Sequence, residues 1–120
     1  MEPFQIKVIT NPINQEEFTE LLNLEKTTQS FIKLMVDIDK EIIAINCELH
    51  CDCGEILTEQ YESTPKSLWG ANIRPLTKGI EYFSLMNIKV WDQNPSQEIV
   101  REDIREKVKN VINKLIFQNY

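Results

Sequence analysis

The stretch NCELHCDCGE, residues 46–55, holds all three cysteines of the chain, its single histidine and three carboxylates. Thiols, imidazole and carboxylates serve zinc sites, nucleophilic pairs and acid–base catalysis, and their spacing decides which of these they can do. A β-like run leads into the stretch. If its alternation continues, Cys47, Leu49, Cys51 and Cys53 share the face of Ile43 and Ile45, and Glu48, His50 and Asp52 project from the other. That separates the imidazole from the thiols. A zinc site built from Cys47, His50, Cys51 and Cys53 is then disfavoured, and the sequence offers no second, distant ligand pair. A Cys51–His50 nucleophile pair fails for the same reason, because neighbours on a strand face opposite ways. A Cys51–Cys53 disulfide has poor geometry on a strand. The cysteines read as buried small hydrophobes, reduced, in a cytoplasmic protein, since their number is odd and MEPFQIKVIT lacks the pattern of a signal peptide.

The polar row is the sharper feature. A strand rises roughly 3.3 Å per residue, so Glu48 and Asp52 stand about 13 Å apart. Ligand bonds to a metal are about 2 Å, so a single ion takes His50 with Glu48 or Asp52, plus ligands from elsewhere. Flanking carboxylates favour the imidazolium and make His50 a candidate general acid or base, with Glu48 or Asp52 assisting. The simpler alternative is a solvated polar face of an antiparallel sheet. No cofactor is implied.

The elements around this stretch decide where it sits. FQIKVIT alternates and predicts a short strand, stopped by Pro12. Asn14 with Glu17 forms a capping-box pattern, and Ile13 with Phe18 a hydrophobic staple, at the start of a helix whose Phe18, Leu21 and Leu22 share a face. Residues 31–53 predict a long hairpin turning at Asp39–Lys40, with Val36 opposite Ile43, Leu34 opposite Ile45 and Ile32 opposite Cys47. Asp-Lys is not a favoured two-residue turn, so a four-residue loop is preferred. GEILTEQY predicts a short helix, and STPKSLWG one helical turn from Thr64 to a stop at Gly70. ANIRP and GIEYFSLMNIKVW predict two more strands joined by LTKG, the second covered on both faces. The end carries the clearest helix, with Ile104, Val108, Val111, Ile112 and Leu115 in one stripe. The expected fold is α+β, one domain over residues 1–120: a mostly antiparallel sheet of about five strands with the N- and C-terminal helices on one face.

The totals set limits. A chain of 120 residues can bury a core without staples. A net charge of −6 with no basic cluster excludes general attraction to nucleic acid or anionic membranes. No apolar run approaches a membrane span. Gly-rich phosphate loops, nucleophile elbows and paired-histidine metal motifs are missing.

ELHCD at 48–52, LWGANI at 68–73, and NIK at 87–89 ahead of a loop ending in NPSQEI together resemble a family of small, mainly bacterial proteins known as a domain of unknown function. The resemblance runs from the first hairpin to the last helix. The family brings no activity, substrate or catalytic residue. The cysteines and Pro95 depart from its pattern, which weakens thiol chemistry further. The resemblance suggests that Glu48, His50 and Asp52 meet Trp69, Asn72 and Asn87 around one pocket. Trp69 would supply a flat wall and Asn72 a donor and an acceptor, with Arg74 taking an anionic group. Each has a plainer role: core packing for Trp69, a turn hydrogen bond for Asn72, an exposed strand charge for Arg74.

The reading that follows is a non-enzymatic, homo-oligomeric interaction module. Phe31, Met35, Ile42, Phe83 and Leu85 leave the main alternation and ask for a cover that a second subunit, or another protein, can give. The alternative is a small enzyme, or a ligand- or metal-binding protein, using the pocket around Glu48, His50, Asp52, Trp69 and Asn72.

Overall fold

The computed structural model describes residues 4–120. One antiparallel sheet is built from β1 (Lys7–Ile9), β2 (Ile32–Asp37), β3 (Ile42–Ile45), β4 (Leu68–Arg74) and β5 (Gly79–Glu81), in the order β1-β3-β2-β4-β5. Three α-helices accompany it: α1 (Gln15–Thr28), α2 (His50–Tyr61) and α3 (Glu102–Ile112), which runs on as a wider π-type turn over Asn113–Phe117. The fold is α+β, as expected.

Local chemistry sets several of these boundaries. The Asn14 side chain accepts the Glu17 N–H at 2.8 Å, and the Glu17 carboxylate accepts the Asn14 N–H at 3.1 Å, so the capping box closes. The β2–β3 register is the expected one, with Val36 opposite Ile43 and Leu34 opposite Ile45 across a four-residue loop, 38–41. The Asp37 carboxylate shapes that loop by accepting the N–H groups of Asp39 and Lys40.

Alternation sorts the sheet into two cores. Leu34, Val36, Ile43, Ile45, Trp69, Ala71 and Ile73 face one way and are covered by Phe18 and Leu21 of α1 and by Ile104, Val108 and Ile112 of α3. Met35, Ile42, Ala44 and Leu68 face the other way, under Cys53 and Leu57 of α2. The terminal helices therefore share a face, and the chain covers the second face itself. Met35 and Ile42 need no second subunit.

Four local expectations are corrected. The strand alternation does not run through residues 46–53. Asn46 takes a left-handed conformation (φ 74°) and its amide donates to the Gln5 carbonyl, so the chain leaves the sheet. The β2–β3 ladder consequently stops at Leu34 opposite Ile45, so Ile32 is left without Cys47 as its partner on that side, and the helix begins at His50, four residues before GEILTEQY. The thiols are not all reduced: Cys47 and Cys53 form a disulfide, with Cα atoms 5.7 Å apart, and Cys51 is free and exposed. Gly70 stops no helical turn; it lies inside β4. The long strand expected through Trp91 ends at Glu81, beyond which Phe83 bridges Glu98 and residues 85–87 and 90–92 form 3₁₀ turns. Asn87 explains this last departure, because its side chain occupies the place of a strand neighbour. It accepts the Gly70 N–H at 2.8 Å and donates to the Gly70 carbonyl at 2.9 Å.

Candidate functional site

The N-terminus of α2, the second face of β4 and the segment after β5 converge on a cavity of about 440 Å³. Each wall has a local cause. Leu49 is the extended residue before α2, and the Asp52 carboxylate accepts the Leu49 N–H at 3.4 Å, closing the first turn. That turn aims His50 back over β4, where Nε2 lies 3.0 Å from the Ala71 carbonyl. Gly70 permits the approach. A Cβ there would sit 2.5 Å from Ser84 Cβ and 3.2 Å from the His50 ring. The glycine is thus fixed by closeness rather than by backbone conformation.

Since a carbonyl can only accept, Nε2 of His50 carries a proton, and in the neutral ring Nδ1 is an acceptor. Burial pushes the His50 pKa below the usual histidine value. The Ala71 carbonyl and the Asn72 side chain act the other way without overcoming it, and Lys33 adds to the lowering. The expectation that Glu48 and Asp52 hold an imidazolium is therefore reversed.

The expected pocket divides. His50 and Asn72 do line one cavity, together with Lys33, Leu49, Phe83 and Met86. Glu48 is exposed and borders a different hollow, beside Phe31 and Cys47. Asp52 caps the helix. Trp69 is fully buried in the opposite core, where its indole N–H donates to the Lys66 carbonyl. Arg74 stacks on Phe31, 4.2 Å from the ring centroid, and lies 3.7 Å from Glu25 of α1. Asn87 is fully buried and committed to Gly70 and the Gln97 carbonyl. Among the described residues, no three His, Cys, Asp or Glu side chains group as a metal site.

A second cavity, of about 400 Å³, adjoins the first and shares Cys51, Leu85 and Met86 with it. Lys89 borders it. This lysine is buried, donates to the Pro65 and Leu68 carbonyls, and lies 3.9 Å from the centroid of the Trp69 ring. Burial draws its pKa down to about 8, opposed by Asp92.

Sequence reasoning missed Lys33, Leu49, Ser84 and Met86 as wall residues. Phe83 and Leu85 carried a signal in their departure from the main alternation. Asn94 carried none, although it is fully buried, donates to the carbonyls of Asn87, Ser96 and Glu98, and accepts the Val100 N–H.

A family model described as "Protein of unknown function (DUF5674)" matches residues 7–115 of this sequence. No curated protein and no solved structure matches it. With a match over most of its length, the chain belongs to this family. Among the described residues, no helix is long and apolar enough to cross a membrane.

Proposed function

We propose that this member of the family is a non-enzymatic interaction module that associates with a second copy of itself through residues 83–91. One observation carries the reading. Leu85, Val90 and Trp91 are 70%, 73% and 64% exposed, and Phe83, Met86 and Ile88 are exposed beside them. Six apolar side chains within nine residues thus face water. The backbone that presents them is held by the buried amides of Asn87 and Asn94. A segment pinned from below and apolar above is a built surface.

Its shape favours a second copy. Protruding Leu85, Val90 and Trp91 lie next to the second cavity, which Leu85 and Trp91 themselves line. A two-fold interface needs one patch that offers both knobs and holes. The cover once sought for Met35 and Ile42 is internal, so the proposed contact moves from the sheet face to this strip.

Sedimentation velocity over micromolar to millimolar protein tests the reading. A species of twice the chain mass should appear at high concentration and vanish in a Leu85→Glu, Trp91→Glu protein that keeps its helical circular dichroism. A single species of chain mass throughout, or a dimer that survives both substitutions, would overturn it.

The alternative of a ligand-binding or catalytic pocket draws support from the His50–Asn72 cavity alone, since Glu48, Trp69 and Arg74 stand elsewhere.

A further inference from the structure

We propose that the cavity between His50 and Asn72 binds a small, chiefly apolar acid that also carries an N–H or O–H donor. The inference does not rest on self-association. Leu49, Phe83, Leu85 and Met86 make the walls apolar, which suits a ring or a branched chain. Asn72 supplies the polar demand. It is only 7% exposed, and its Nδ2 donates both to Glu81 Oε1 at 2.8 Å and to the Phe83 carbonyl at 3.2 Å. Turning the amide would set its oxygen against two acceptors, so the orientation is fixed. Oδ1 is then left buried with no hydrogen-bond partner. A buried acceptor without a partner is costly, and a donor arriving with a ligand removes that cost.

The neighbouring imidazole asks for the same thing. With Nε2–H given to the Ala71 carbonyl, the neutral ring has only an acceptor, Nδ1, left to offer. Two acceptors in one apolar cavity select a donor headgroup. Lys33, the cross-strand neighbour of Asn72, borders the same cavity and forms no ion pair among the described residues, which selects an anionic group on the same ligand.

Indole-3-acetate and 1-naphthaleneacetate make a matched pair of probes, close in size and equal in charge, with an N–H on the first only. Nitrogen-15-labelled protein is titrated with each at one fixed protein concentration, and sedimentation of the same samples reports association separately. Indole-3-acetate should give saturable shifts at Gly70, Ala71, Asn72 and Ser84. Binding of 1-naphthaleneacetate should be about tenfold weaker, the worth of one hydrogen bond. Lys33→Met should weaken indole-3-acetate several-fold and leave the unliganded spectrum folded. No saturable shift, shifts on another face, equal affinity for the two probes, or full affinity in Lys33→Met would each overturn the proposal.

Discussion

At the scale of single residues, environment outranks neighbours in sequence. His50 lies between Glu48 and Asp52 in the chain, yet burial against β4 governs it and lowers its pKa. The pH consequence follows. The folded pKa lies below the ordinary value of 6.5, so between the two the unfolded chain holds more protons. The stability associated with the neutral ring is complete above about pH 6.5 and is lost as pH falls from there through the folded value. In thermal melts from pH 7.5 to pH 5, wild type should lose its advantage over the non-titrating His50→Gln variant; an advantage constant across that range would contradict this account. Asn87 and Asn94 make the complementary point. Each is fully buried and pays out its amide to main-chain groups, a role that no local pattern of apolar residues announces.

At the scale of elements, the run from Asn46 to Cys53 shows how one backbone decision reassigns every side chain after it. The left-handed residue at 46 ends β3, and the polar alternation that looked like a strand face becomes the approach to α2 and its first turn. Helical geometry then brings Cys53 back to Cys47, and Cys51 is left in solvent. Thiol titration of denatured, unreduced protein should therefore find one reactive group per chain; three would mean that the bond is not formed. Its loop is short, so Cys53→Ala should cost about 2 kcal/mol in chemical denaturation. The same substitution measured under reducing conditions should cost much less, since the reference has then lost the bond too.

At the scale of the whole molecule, three layers leave a run of apolar side chains uncovered. α1 and α3 cover one face of the sheet and α2 covers the other, while the strip along residues 83–91 stays open. A net charge of −6 on each copy opposes pairing through long-range repulsion. Salt screens that repulsion within about 10 Å at 0.1 M and leaves an apolar contact intact. Dimerisation by the strip should accordingly strengthen as salt is raised from 20 to 300 mM, read from the dissociation constant in sedimentation equilibrium. Weakening with salt would point to an ion-paired contact instead.

The sequence by itself determined the α+β class, the capped first helix, the β2–β3 register and the terminal amphipathic helix. Each rests on contacts between residues close in the chain, or on a periodicity that only one backbone geometry satisfies. Tertiary structure alone decided that His50 faces Asn72, that Trp69 belongs to the opposite core, that Gly70 must lack a side chain, and that Asn87 replaces a strand. Those outcomes depend on which segments from distant parts of the sequence are brought within a few ångströms. A spacing of two along the chain places Glu48, His50 and Asp52 together only while the chain stays extended, and the packing of α2 on the sheet is what bends it.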